Sequence, residues 1–366
     1  MASETPDGIS QKVQESLKDG PYACSSLAKL SGGTANFVYR GTLVTLLKDG
    51  EKTVVIKHTE GYVASNPNFK LTDTRCDYEQ QILSALNTLP PLTKEGVEVE
   101  TPHLYHFDAE SNTQVYSDLP SSLDLKTYVL SHSTTLTEPQ CQRLGFALGS
   151  WAKSFHVWAN GDERKGLREV MKGNKEMRDL KFRINYENLV ATIPNFEGIL
   201  GESRGVFEGV RKSVRKELDE SDGELIHGDF WSGNILLPEG SIADSSDKVL
   251  RIFIIDWELS QLSHPAFDLG QMIAELYELK HFKDIDAGLW LIKSFIEGYG
   301  DMDEEMKWKT IIHAGTHLVC WGSRVQGWGS KEQVEDVVRV GRDWILGAVK
   351  RERAVFEGMV LENFFK

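Results

Sequence analysis

The segment Ile226-His227-Gly228-Asp229-Phe230-Trp231-Ser232-Gly233-Asn234-Ile235-Leu236-Leu237 sets an aspartate and an asparagine in fixed register between apolar flanks. Moving a phosphoryl group to an alcohol needs a carboxylate that orients the hydroxyl and accepts its proton. It also needs an oxygen ligand for magnesium close by. An H-x-D-x-x-x-x-N loop supplies both, with Asp229 as the base and Asn234 as a metal ligand. Downstream, Arg251-Ile252-Phe253-Ile254-Ile255-Asp256-Trp257-Glu258 ends an apolar strand in a carboxylate. A hard cation bridging phosphates takes oxygen ligands from rigid elements, which makes Asp256 the second magnesium candidate. His227 reads as structural, its ring packing or hydrogen-bonding inside the loop.

These residues need elements to carry them. Segments 26–30 and 36–47 are β-rich and flank Gly32-Gly33; Lys48-Asp49-Gly50-Glu51 is a hairpin signal, and 53–58 is a further strand. Val54-Val55-Ile56-Lys57 resembles the V-A-I-K strand whose lysine contacts the α- and β-phosphates of ATP. Segment 73–89 has helical spacing, and Glu79 on it is the natural ion-pair partner of Lys57. Gly32 and Gly33, followed by Asn36, would let backbone N–H groups approach phosphate. Taken singly these pieces are ordinary: a Gly-Gly turn is usually a hairpin, and a lone strand lysine or helix glutamate is usually solvated.

Two short strands are expected near 103–107 and 113–116, after which the character turns helical. Segment 138–158 carries Cys141, Leu144, Ala147, Leu148, Trp151 and Phe155 on one stripe, which is core packing. Mixed helical sequence over 163–220 is followed by a β island at 224–237 and 249–256, and helices resume at Pro265. The expectation is a two-lobed α+β chain. Its first part, 1–118, is a β-rich lobe that binds nucleotide phosphates. Its second, 119–366, is an α-rich lobe with the catalytic loop and substrate pocket. Gly201-Glu202-Ser203-Arg204-Gly205 matches a hydrolase elbow as text, but no long strand precedes it.

The 366 residues are 40% apolar and 26% charged, ordinary for a folded chain with a sizeable core. No stretch reaches about 18 apolar residues, so no membrane helix is expected. The N-terminal segment is polar and does not read as a secretory signal. Cys24, Cys76, Cys141 and Cys320 are scattered, as reduced thiols in a cytoplasmic protein would be. An excess of 55 acidic over 41 basic residues argues against nucleic acid as a partner. The same field favours a cationic substrate, although solubility alone explains it as well.

Gly-Gly-x-x-Asn, Ile56-Lys57, a helical Glu79, His-Gly-Asp-x-x-x-x-Asn, Ile-Asp-Trp-Glu and His264-Pro265-Ala266-Phe267-Asp268-Leu269 occur in one order. In that order the chain resembles the aminoglycoside phosphotransferase and choline kinase-like branch of the kinase fold. Trp231-Ser232-Gly233-Asn234 also resembles ketosamine kinases. In look the chain is nearest to fungal small-molecule kinases such as the 4-hydroxytryptamine kinases. The resemblance implies ATP and Mg2+ as cofactors and a small hydroxyl-bearing acceptor, which an amine would suit. It also implies that Asp268 braces the catalytic loop and that a hinge from Ser117 to Leu119 contacts adenine. Gly228 stands where protein kinases usually carry arginine, and the interval from Asp256 to Asp268 is too short for a peptide-docking segment. A ketosamine kinase is the alternative among enzymes, and a nucleotide-binding pseudokinase scaffold is the alternative outside them. Two readings stay open for 300–328. Asp301, Asp303, Glu304 and Glu305 with Trp308, Trp321 and Trp328 could hold an amine, or the acids cap a helix and the tryptophans pack the core.

Overall fold

A computed structural model describes residues 6–30, 34–48, 50–220, 222–242, 249–324 and 327–366. The chain forms two compact units, one of residues 1–90 and 101–121, the other of 91–100 and 122–366. In the first unit, five antiparallel strands lie in the order Cys24–Lys29, Phe37–Leu43, Thr53–His58, Thr113–Ser117, Leu104–Asp108. Alternation in Thr53–His58 buries Val54 and Ile56 on the core side. Helix Pro6–Leu17, in a stretch read only as polar, covers that core with Ile9, Val13 and Leu17 at i, i+4, i+8. Each such buried side chain contributes about 1.5–3 kcal/mol. A second helix, Arg75–Leu86, buries Ile82, Leu83 and Leu86. Its end is pinned by Asn87, whose amide exchanges two hydrogen bonds of 3.1 Å with the backbone of Leu104.

The second unit holds a five-stranded sheet in the order Ser122–Asp124, Ile235–Pro238, Leu250–Ile254, Val97–Glu100, Leu92–Lys94. Leu250–Ile254 runs parallel to Val97–Glu100, a hairpin that the strand signals did not include. A two-stranded ladder joins Glu224–Ile226 to Gln261–Ser263. The expected helical stretch 163–220 is a series of short pieces, among them Lys165–Met171, Lys175–Phe182 and a π-turn at Arg183–Glu187, before the longer helix Arg204–Glu220. Gly201–Ser203 is a helical turn with no strand before it, so the hydrolase-like text has no elbow.

Helix Glu138–Asn160 opens on a capping box between Thr137 and Gln140. It packs against Ala287–Tyr299 so closely that side chains would collide: a Cβ on Gly149 would lie 2.0 Å from the Phe295 carbonyl. Helix Ala266–Lys283 is buried along most of its length, polar positions Asp268, Gln271, Glu275 and Glu278 included. Those four share one helical stripe, and the site is built along it. Among the described residues, no helix is long and apolar enough to cross a membrane.

Candidate active site

The loop after Glu224–Ile226 is fixed from below by one buried carboxylate. Asp268 Oδ2 accepts the His227 N–H at 2.8 Å and Oδ1 accepts the Gly228 N–H at 2.9 Å. His156 Nε2 meets Asp268 Oδ2 at 3.0 Å, and its Nδ1 meets the Tyr299 hydroxyl at 3.0 Å. Burial alone would raise the Asp268 carboxyl. The hydrogen bond and charge of His156, with the hydrogen bond from the His227 backbone N–H, more than offset this and hold it below the usual aspartate range. Gly228 has φ +83°, and a Cβ there would sit 2.1 Å from the Leu259 carbonyl. Only glycine lets the backbone pass at that point.

His227 is fully buried, and its two nitrogens have distinct tasks. The Asp229 N–H donates to Nδ1 at 3.2 Å, and Nε2 lies 3.1 Å from the Ile255 carbonyl. The ring is therefore neutral with its proton on Nε2, and burial lowers its pKa. It packs on Trp257 at 4.3 Å between ring centroids, in an aromatic bed that includes Trp151, Phe155 and Phe230.

Asp229 emerges from this bed held by both oxygens. Asn234 Nδ2 donates to its Oδ2 at 3.1 Å and to its carbonyl at 2.9 Å. Gln271 Nε2 donates to Oδ1 at 2.7 Å, and the Lys181 ammonium lies 3.6 Å from the same oxygen. Sheet register brings Asn234 to Asp256: Ile235 pairs with Ile254, and the Ile255 N–H donates to the Asn234 carbonyl at 3.0 Å. Asp256 follows with φ +67°, a conformation rarely taken by a residue other than glycine. The amide nitrogen of Asn234 is spent on Asp229, so of its side chain the oxygen is the end that could serve a cation, and Asp256 is the other oxygen-bearing side chain that this register brings to the same strand ends. Two oxygen donors suit magnesium, which keeps water and phosphate oxygens in its shell. Among the described residues, no cluster of three or more His, Cys, Asp or Glu could hold a metal alone.

In the first unit, Lys57 and Glu79 form a buried ion pair of 2.7 Å. Asn36 is buried, with its side-chain oxygen accepting from Thr59 at 3.0 Å and Arg75 at 2.8 Å. The Ser117 N–H donates to the His103 carbonyl, and its hydroxyl accepts the His103 N–H. Leu119 follows Asp118, whose carboxylate is clamped by Arg40 at 2.7 Å. Gly32 and Gly33 lie outside the described residues.

Gln271 and Glu275 belong to the constellation although no motif marks them, and Lys181, which the sequence offers only as the start of an acceptor-pocket segment 181–220, joins them at Asp229. A signal existed, because polar residues recur at one helical spacing through an otherwise apolar helix. Further along that stripe Glu275 pairs with His317 at 2.9 Å and with Lys126 at 2.8 Å. Burial would raise the Glu275 carboxyl, but His317 and then Lys126 bring it down to about 2. Lys126 Nζ lies 4.0 Å from the Trp328 ring centre and 5.3 Å from that of Trp231. Of the acids near 300, Asp303 caps helix Glu304–His317 by accepting the Met306 N–H, while Glu304 and Glu305 pair with neighbouring basic residues. Trp308 packs on Phe356 and Phe365 in the core.

Glu278 is fully buried, and neither carboxylate oxygen has a hydrogen-bond partner among the described residues. Burial and the negative charge of Glu275 push its pKa well above the ordinary value. An acid raised on folding must hold a proton that the unfolded chain releases, so stability falls as pH rises above the glutamate range by about 1.4 kcal/mol per pH unit. Glu278→Gln therefore melts at a higher temperature than wild type, with a gap that widens as pH rises above the glutamate range. Thermal melts at rising pH would give parallel curves if the account were wrong.

Residues 43–306 match the family model described as the phosphotransferase enzyme family. The phosphotransferase FrzJ of a Cladobotryum species is 33% identical over 98% of this chain and 97% of that protein. The 4-hydroxytryptamine kinase of Psilocybe cyanescens is 27% identical over 87% of this chain and 86% of its own. The solved structure of a Plasmodium vivax ethanolamine kinase matches with a TM-score of 0.50 at 15% identity, covering 97% of both chains, a likeness of fold. The architecture is thus the two-lobed kinase-like α+β fold. Family match and full-length likeness agree: this chain is an enzyme of the small-molecule kinase class and belongs to the phosphotransferase enzyme family.

Proposed function

We propose that the protein transfers the γ-phosphoryl group of ATP, with Mg2+, to a hydroxyl of a small cationic molecule. The observation that carries this reading is the Asp229 carboxylate, aimed by Asn234 and Gln271 on a loop braced by Asp268. In the reaction the acceptor oxygen forms a bond to γ-phosphorus as the bond to the β–γ bridging oxygen breaks. The acceptor proton passes to Asp229, and ADP leaves. Asn234 and Asp256 are assigned to magnesium, which would neutralise charge on the phosphates. Lys57, fixed by Glu79, is assigned to the α- and β-phosphates. The Gly32-Gly33 turn is assigned to phosphate contact, and Ser117 to Leu119 to adenine. In this scheme the lobe of residues 1–118 handles nucleotide and the lobe 119–366 handles acceptor and chemistry. Most of the rate gain comes from positioning and charge neutralisation.

A cationic acceptor is supported by the net charge of −14, whose field draws cations. The likeness to 4-hydroxytryptamine kinase points the same way. Four free, buried cysteines suit a reducing compartment and a cytoplasmic setting. The test is ADP release from ATP and Mg2+ over hydroxylated amines, ketosamines and uncharged alcohols of matching size. Turnover is expected with a hydroxylated amine and is weaker with its uncharged counterpart. Turnover confined to ketosamines would replace this acceptor with the alternative one, and absence of ATP binding would overturn the reading altogether.

A further inference from the structure

Lys181 closes helix Lys175–Phe182 with only 2% of its surface exposed. An ammonium that far from water persists only where charge and hydrogen bonds compensate it. Its Nζ donates to Gln271 Oε1 and lies 3.6 Å from Asp229 Oδ1. The amide nitrogen of the same Gln271 donates to that same Asp229 oxygen at 2.7 Å. Ammonium, amide and carboxylate therefore close a triangle, and among the described residues Asp229 is the only carboxylate within ion-pair distance of Lys181. Asp268 and Glu275, flanking Gln271 on helix Ala266–Lys283, add their field from slightly further away.

Local backbone geometry fixes where the lysine stands. The π-turn Arg183–Glu187 follows directly, and within it Asn185 Nδ2 donates to the Lys181 carbonyl at 3.1 Å. Such turns widen a helix by one residue and recur where a side chain must be aimed. A buried lysine is a costly way to fill space, since a methionine of similar length needs no counter-charge. Its retention beside a single, quarter-exposed carboxylate calls for a task at that carboxylate.

We propose that Lys181 is a positioning residue of the phosphoryl-transfer site, which with Gln271 holds the Asp229 carboxylate in the orientation that receives the acceptor hydroxyl. This rests on the function proposed above. Lys181 takes no proton from the acceptor and makes no bond to phosphorus. It fixes one oxygen of the base, as Asn234 fixes the other. The effect belongs to the chemical step, so it falls on kcat and leaves the KM for ATP unchanged.

The experiment compares the full-length wild type with Lys181→Met and Lys181→Arg, using the acceptor on which the wild type turns over. Lys181→Met should lower kcat about 100-fold with the KM for ATP within about twofold, and Lys181→Arg should recover about tenfold of that loss by restoring the charge. Melting temperature is read alongside; should Lys181→Met fail to fold, Lys181→Gln, which keeps a polar tip without charge, takes its place. A folded neutral variant with kcat within about threefold of wild type would overturn the proposal, as would an arginine variant no better than the methionine one. A wild type that turns over while the variants match it sinks the role of Lys181 alone. A wild type with no turnover on any acceptor sinks the underlying function and this role with it.

Discussion

Asp229→Asn is expected to lower kcat by about 10³ while ATP binding survives, because the loss of a positioned general base costs roughly 10²–10⁴. Asparagine keeps the shape of the side chain and a carbonyl oxygen that can still accept from Gln271 or Asn234. It cannot receive the proton of the acceptor hydroxyl. The nearby ammonium makes the choice of variant matter: both changes remove the charge facing Lys181, but asparagine keeps an accepting oxygen and fills the space, whereas Asp229→Ala removes both, so lost activity there would mix lost chemistry with a disturbed pocket. ADP release under saturating ATP and acceptor measures the first effect, and nucleotide titration the second. A folded Asp229→Asn protein that retains more than about a tenth of wild-type kcat would show that the base lies elsewhere.

The residues assigned to chemistry were legible because they fall on short stretches of chain whose register is local. From His227 to Asn234, one loop carries base and amide, and an apolar strand leads to Asp256. The groups that aim them were harder to see. Lys181 sits in a run with Lys175, Glu176, Arg178 and Asp179 that reads as a solvated helix face. Its burial shows only in the i, i+4 spacing from Met177, which shares the buried side. Gln271 is one amide in an apolar helix, and nothing in its neighbours names the carboxylate it holds. Tertiary packing, which no local pattern encodes, makes that contact.

Elements were lost for similar reasons. Ile9, Val13 and Leu17 have helical spacing, but the polar residues around them outweighed three apolar positions. The hairpin of 92–100 turns on Glu95 and Gly96, both with positive φ, as a tight two-residue turn between twisted strands requires. Its Val97 and Val99 alternate as a strand should. That hairpin pairs in parallel with Leu250–Ile254, far along the chain, and only this long-range pairing makes it part of the sheet that ends near Asp256.

Asp268→Asn should be the most destabilising conservative change in the second unit. The carboxylate accepts from three donors: the His227 and His156 nitrogens at Oδ2 and the Gly228 N–H at Oδ1. An amide has one accepting end. With its NH2 at the Oδ1 position it faces the Gly228 N–H, and flipped over it faces His227 and His156, so a buried donor is left unsatisfied either way. The cost is about 3 kcal/mol, which lowers Tm by roughly 6 °C for a unit of this size. The sign of the pH dependence gives a second check. A carboxyl whose pKa is lowered on folding contributes stability above its unfolded value and loses it as pH falls through the folded one. The wild type therefore forfeits its advantage on acidification, and the Tm gap between the two proteins narrows below about pH 4. Activity falls with stability here, because the Gly228 peptide sets the direction in which Asp229 leaves the loop. A gap that stays constant with pH would mean that the two backbone N–H groups, and not the charge of Asp268, carry the bracing.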